Sequence, residues 1–394
     1  MVVLVNDPDF EGTLPDGAGG DFGGKAMTYY GRWTYKYEEA ARRGAAGVMV
    51  VHETGPASYG WATVKNSNTN TMFDIVRAEP AKSHVPFESW IQLGLAEHLF
   101  RDSGLNFAEA KAAARRKDFK PIALKSSLSA SLTAKSEQIR TYNIAARVRG
   151  RTHPDENIVY SAHYDHLGIG EPDANGDRIF NGAVDNSTGV SLMIEMARAF
   201  AKGPKPQRSV LFLAVGAEEK GLLGSEYYAS NPLYPLSKTV AVLNTDSMGI
   251  AGAARDFSMA GLTKLELVDL LVAEGAGQGR TFTPDAYPQS GGFYRSDHFS
   301  FAKRGVPAIS FKSGRNLLEG GIAAGEKWGA EYQANRYHQP DDEWNPDWRY
   351  DGMIADGTLL YRVGSTLANS RQWPNWSADA EFRAARDATA SERR

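Results

Sequence analysis

The chain has no cysteine in its 394 residues, which excludes disulfide staples, thiolate nucleophiles and cysteine-bound metal clusters. It also lacks any apolar run near the roughly 18 residues that a membrane-spanning helix requires. Charge of one sign is missing too. The 44 Lys and Arg stand against 47 Asp and Glu, a formal net charge of −3 with no basic surplus for nucleic acid. The locally basic stretch AAARRKDFK at 112–120 reads as a solvated helix face. No internal repeat of solenoid or propeller length is present. At this length the chain can bury more than one domain core.

Histidine is scarce as well, at 8 residues, so its company is informative. Three histidines fall in two short acidic motifs: SAHYDHLG at Ser161–Gly168 and YHQPDD at Tyr337–Asp342. Between them lie GAVDN at Gly182–Asn186, GAEEKG at Gly216–Gly221 and NTDS at Asn244–Ser247. Together the motifs supply His163, Asp185, Glu219, Asp246 and His338, with Glu218 as an additional carboxylate. Imidazole and carboxylate without thiolate form an N/O donor set that suits a pair of zinc ions, and manganese or cobalt could occupy it as well. One His-x-Asp or one Glu-Glu pair is common by chance; the ordered series is not.

The motifs fall where an α/β sheet would bring them together. NIVYSA at 157–162, SVLFLA at 209–214 and VAVLN at 240–244 are short apolar runs bounded by turn residues, the pattern of buried strands. Each ends just before a candidate ligand, and binding crevices in open α/β sheets lie beyond the carboxyl ends of strands. Asp185 instead precedes a helical run at 187–201, with Asn186 or Ser187 as its cap. A carboxylate there can give one oxygen to each of two cations about 3.5–4 Å apart. Of the adjacent glutamates, one can bind metal while the other moves a proton. Asp165, two residues after His163, is placed to accept a hydrogen bond from the imidazole nitrogen turned away from the metal. His166 reads as a supporting or packing residue. His298 in SDHF either lines the cleft or holds its loop, and His52, His84, His98 and His153 are expected to be surface or satisfied histidines without acidic partners at ligand spacing.

These residues resemble the M28-type zinc peptidases, aminopeptidase-like enzymes that carry a protease-associated domain. The likeness rests on HYD, VDN, the Glu-Glu pair followed by GLLGS, NTDSMG, SDHFSFAKRGVPAISF at Ser296–Phe311 and the late YHQPDD, and it covers about residues 142–368. It implies an α/β fold, a mixed sheet flanked by helices of the zinc-exopeptidase, phosphorylase/hydrolase-like kind. It implies one zinc on Asp185, Glu219 and His338 and a second on His163, Asp185 and Asp246. Glu218 is the general acid/base, with Asp165 beside it in the expected catalytic group. The substrate is a peptide, and Tyr287, Phe293, Tyr294 and Arg295, around SDH in a glycine-rich loop, are candidates for its specificity pocket. A carboxypeptidase or dipeptidase would use the same metals with Arg295 or Arg315 for the substrate carboxylate. A non-catalytic receptor-like module is expected to have lost ligands that are all present here. A cyclase-like acyltransferase is expected to use a single zinc.

Residues 1–122 read as the protease-associated domain, an α+β insertion expected to be truncated at its N-terminus, because MVVLV opens directly as a strand without an export signal. The resemblance implies a secreted or periplasmic protein. Within this region YKYEEAARR at 35–43 reads as helix, GAAGVMVVH at 44–52 as turn and strand, 55–61 as an aromatic-rich loop, and 93–102 and 106–116 as helices. The region is expected to contribute nothing to catalysis. The catalytic domain is expected over 123–372, closed by a helix at 351–370, and 373–394 is expected to be a frayed or disordered polar tail.

Overall fold

A computed structural model describes residues 1–13, 22, 24, 26–261 and 264–393. The chain divides into two compact units, one comprising Met1–Val64, Val76–Thr141 and Tyr287–Tyr294, the other Lys65–Ile75, Tyr142–Ala286 and Arg295–Arg394.

The first unit is built on strands β1 (Val2–Leu4), β2 (Val48–His52) and β3 (Glu88–Gln92), paired in parallel in that order. Parallel pairing needs crossovers, and helices supply them. Helix Trp33–Arg42 runs between β1 and β2 and ends before Gly44, whose φ of 65° suits glycine. Val5, Val50, Ala57, Tyr59 and Val64 form one core cluster with Trp33 and Trp90 packed against it. The helix expected at 93–102 is present with those bounds, whereas the one expected at 106–116 spans Phe107–Ala113, capped by the Asn106 side chain accepting the Glu109 N–H at 3.1 Å. The loop expected at 55–61 is different. Thr54–Ala57 forms a helical turn, Ser58 breaks it at φ 68°, and Trp61 opens a new helix, Trp61–Asn68. The C-terminal part of that helix, with the segment after it, groups with the second unit, although the sequence reading assigned all of this region to the insertion.

The second unit holds β4 (Ile144–Val148), β5 (His153–His163), β6 (Gly168–Ile169), β7 (Ile179–Phe180), β8 (Arg208–Val215), β9 (Thr239–Thr245), β10 (Asp256–Met259), β11 (Thr281–Phe282) and β12 (Ala308–Ser313). Seven of these form a mixed sheet in the order β11-β10-β12-β9-β5-β8-β4, and β6 and β7 form a separate ribbon. Strands β12, β9, β5 and β8 run parallel through the centre, while β4 is antiparallel to β8 and β10 antiparallel to β12. The central strands are covered on both faces, which is why they read as unbroken apolar runs rather than alternating ones. Helix Asp351–Ala368 closes the unit with Leu359, Leu360, Val363 and Leu367 fully buried. The Tyr160 hydroxyl donates to the Leu360 carbonyl at 2.8 Å. Gly364 makes room for that hydroxyl, since a Cβ there would stand 1.8 Å from the Tyr160 oxygen.

The segment after this helix is not a frayed tail. Trp376, Phe382 and Arg386 are buried, and helical turns span Arg383–Asp387 and Ala390–Arg393. Trp376 donates its indole N–H to the Gly305 carbonyl at 2.9 Å, and the Arg386 guanidinium donates to the Thr239 and Val240 carbonyls. Three anchors in a polar, alanine-rich sequence suffice to order it, because each finds its partner on an element distant in the chain.

Candidate metal centre

Three parallel strands end side by side and each delivers a candidate ligand. His163 is the last residue of β5, Glu218 and Glu219 lie in the turn after β8, and Asp246 follows β9. Asp185 arrives from the turn Ala183–Thr188, ahead of helix Gly189–Lys202. That helix begins later than expected, but the Asn186 side chain still accepts the Gly189 N–H at 3.0 Å in the manner of a cap. The Asp342 carboxylate pins the Asp185 turn by accepting the Val184 and Asp185 N–H groups at 2.9 and 3.0 Å. His338 comes from the loop after helix Gly321–Asn335, at φ 57°.

Asp185 faces two histidines with different oxygens. Its Oδ1 lies 3.1 Å from His163 Nε2, and its Oδ2 lies 3.6 Å from His338 Nε2. His163 Nε2 is also 3.4 Å from Asp246 Oδ1, and His338 Nε2 is 3.0 Å from Glu219 Oε2. The cluster therefore has two halves joined by one carboxylate. Behind Asp246, the Ser296 hydroxyl donates to Oδ2 at 2.6 Å while receiving the Asn244 amide at 2.7 Å. Asn244 Oδ1 in turn accepts from the Ser161 hydroxyl. All five candidate ligands are thus gathered at one place.

Other expectations are altered. Asp165 does not take the outer nitrogen of His163 on its carboxylate: His163 Nδ1 lies 3.1 Å from the Asp165 backbone carbonyl, and 3.8 Å from the nearer carboxylate oxygen. The carboxylate instead accepts the N–H groups of Glu218 and Glu219 at 3.1 and 3.3 Å, which holds the turn that presents both glutamates. His166 sits closer to the cluster than a packing residue needs to, with Nδ1 2.6 Å from Glu219 Oε1. His166, Asp185 and Glu219 form a second set of donor atoms able to surround an ion, beside His163, Asp185 and Asp246. His298 is fully buried, at the start of the helix His298–Ala302. His84 and His98 are exposed as expected, yet each pairs with a carboxylate four residues on, Glu88 and Asp102. His52 is buried, its Nε2 3.0 Å from the Tyr59 carbonyl.

Of the pocket candidates, Tyr287, Phe293 and Tyr294 group with the first unit, where Phe293 is buried and the Tyr294 ring packs 5.6 Å from Tyr29. Arg295 belongs to the second unit and donates to the Tyr337 hydroxyl at 3.2 Å. The Tyr337 ring lies 4.0 Å from that of His338. Arg315 pairs with Glu326 at 3.4 Å. Sequence reasoning missed Asp297, Ser67 and Lys220. Asp297 stands inside the quoted SDH motif, is fully buried, and its carboxyl is pushed up to about 7 by burial, against the pull of His163.

The electrostatics separate the two adjacent glutamates. Burial pushes the Glu218 carboxyl well above its usual range, and the Glu219 charge adds to that against the opposing pull of His163. Burial also opposes ionisation of Glu219, but His338 and His166 outweigh it and hold that carboxyl at about 2. Asp185 and Asp246 are likewise held low, burial being outweighed by the imidazoles beside them. Of the two adjacent glutamates, the depressed one is the candidate ligand and the raised one the candidate acid/base.

The donor set fits metal on an observation independent of charge. His163 Nε2 and Glu219 Oε1 are buried, point into the cluster and make no hydrogen bond of acceptable geometry. Buried polar atoms without hydrogen bonds are costly, and cations held by these groups would remove that cost.

The chain belongs to peptidase family M28, whose family model matches residues 143–361. A probable zinc metalloprotease of Pyrenophora tritici-repentis is 35% identical over 106 residues, 27% of this chain and 24% of that protein. Aminopeptidase NAALADL1 of Mus musculus is 33% identical over 110 residues, 26% of this chain and 13% of that one. The chain thus spans a quarter or less of the length of these curated relatives. Among solved structures, an aminopeptidase from Aneurinibacillus sp. strain AM-1 superposes with a TM-score of 0.46 at 20% identity, covering 93% of this chain and 73% of that one.

Proposed function

We propose that this protein is a zinc-dependent exopeptidase of the aminopeptidase type, working with two zinc ions. His163, Asp185 and Asp246 would hold one ion, and Asp185, Glu219 and His338 would hold the other. The observation that carries this reading is the division of the Asp185 carboxylate, one oxygen toward each histidine. When bound, such a metal pair polarises the scissile carbonyl and makes a water nucleophilic near neutral pH. Glu218 takes the proton from the attacking water and returns it to the leaving amine. Its buried carboxyl, free of the histidine contacts that hold Glu219 down, is suited to carrying a proton in both directions. Asp165 keeps Glu218 and Glu219 in their relative places through their backbone N–H groups. The first unit is a domain of the protease-associated kind, and the protein acts outside the cytoplasm.

A second reading, a carboxypeptidase or dipeptidase on the same metals, draws support from Arg295, a cation tied to Tyr337 beside His338. Zinc content by mass spectrometry, together with a panel of free, amino-blocked and carboxy-blocked dipeptides, tests both. Two zincs with hydrolysis that requires a free amine are the expected result. Hydrolysis only of amino-blocked substrates with a free carboxylate would favour the second reading, and no hydrolysis by a zinc-loaded chain would overturn the enzyme itself.

A further inference from the structure

The two ring nitrogens of His338 face different surroundings. Nε2 meets Glu219 Oε2 at 3.0 Å and Asp185 Oδ2 at 3.6 Å, inside the cluster. Nδ1 lies 2.8 Å from the hydroxyl of Ser67, a residue 271 positions away in the last turn of helix Trp61–Asn68. The neighbouring Asn66 amide donates to the His338 backbone carbonyl at 3.0 Å. His338 needs such holding, because its φ of 57° is one that residues with a Cβ seldom adopt.

Ser67 is itself anchored from the cluster side. Lys220, directly after Glu219, donates from Nζ to the Ser67 carbonyl at 2.9 Å and to Asn70 Oδ1 at 2.6 Å. A closed circuit results: Glu219 faces His338, His338 faces Ser67, and Ser67 is held by the residue after Glu219. The Asn70 amide continues the attachment by donating to the Leu167 carbonyl at 3.0 Å. The segment Lys65–Ile75 accordingly groups with the unit that carries the cluster.

We propose that Ser67 is a positioning residue for His338, its hydroxyl accepting the Nδ1 proton so that Nε2 presents its lone pair to the ion shared with Asp185 and Glu219. The inference rests on the metal reading given above. A ligating imidazole commonly donates its other N–H to an oxygen, which fixes both tautomer and ring plane, and removing that oxygen typically costs about 10–100-fold in metal affinity. The Asn66–Ser67 segment would then be the outer support of one half of the metal pair, and it comes from a part of the chain that carries no ligand of its own.

The test is zinc affinity of the full chain by chelator competition, for wild type, Ser67→Ala and Ser67→Thr, alongside thermal unfolding of the zinc-free forms. Alanine favours helix, so the substitution does not threaten the helix end. Ser67→Ala should lose about 10–100-fold in affinity for one of two zincs while the other is unaffected and zinc-free unfolding is unchanged. Ser67→Thr, which restores the hydroxyl, should recover wild-type affinity. Wild-type affinity in Ser67→Ala, an equal loss in Ser67→Thr, or a matching drop in zinc-free stability would overturn the proposal while leaving the zinc reading intact. A wild-type chain that binds no zinc would overturn both.

Discussion

The two larger sheets of this protein are made of similar strands and used differently. β2 of the first unit and β9 of the second are both short, valine-rich, buried strands paired in parallel with their neighbours. In the first unit two buried polar side chains close on partners within the unit: Asp7 accepts the Thr28 N–H at 2.5 Å and the Thr28 hydroxyl at 2.9 Å, and His52 meets the Tyr59 carbonyl. At the carboxyl ends of β5, β8 and β9, carboxylates and imidazoles face one another instead, and some of their atoms are left without hydrogen bonds. A strand-end cluster whose polar atoms are satisfied contributes to stability. Carboxylates and imidazoles converging at strand ends are instead the chemistry of a functional site.

The sharpest way to break this contrast is to remove the proton carrier and leave the ligands. Glu218→Gln should keep two zincs and lose about 10²–10⁴-fold in turnover, measured by steady-state hydrolysis and metal analysis on the same sample. Loss of zinc along with activity would reassign Glu218 as a ligand. Next in size is the bridge. Asp185→Ala should lower occupancy in both halves, whereas His163→Ala and His338→Ala should each empty mainly one; a normal two-zinc stoichiometry in Asp185→Ala would end the bridging assignment.

On the first unit the same kind of change should act on stability alone. Asp7→Ala strands the Thr28 N–H and should cost about 1–3 kcal/mol in unfolding free energy with zinc content unaltered. The smallest expected effect concerns an ordinary ion pair. Burial would raise the Glu226 carboxyl, but Arg304 at 2.7 Å and Lys303 at 3.1 Å bring it down to about 2. A carboxylate depressed in the folded state contributes stability above its unfolded pKa of about 4.3, and that contribution is lost as pH falls through about 2. Glu226→Gln should therefore destabilise by about 1 kcal/mol at pH 7, the gap to wild type shrinking as pH falls below about 4. A gap independent of pH would show that packing, not charge, is what the glutamate supplies.

Much of the second unit was readable in advance because its signals are local. The runs at 157–162, 209–214 and 240–244 lie inside β5, β8 and β9, and the expected closing helix is shorter only at its end. The extra residues in β5 were missed because Asp155 and Glu156 look like loop, although Glu156 is buried and neutralised by Arg208 at 2.6 Å and Arg371 at 2.8 Å. The segment after residue 372 was misread for the same reason: its composition suggests disorder, and only the distant carbonyls of Thr239 and Val240 explain why Arg386 is ordered.

Residue chemistry and strand pattern, both carried by near neighbours, were enough to name the histidines and carboxylates of the cluster and the strands that hold them. Folding alone decided which oxygen of Asp165 meets His163, that His166 comes within 2.6 Å of Glu219, and that Ser67 reaches His338. Such contacts, whether between residues two positions apart or 271, leave no periodicity and no local composition behind. They exist only because the sheet and its loops bring those atoms within about 3 Å of each other.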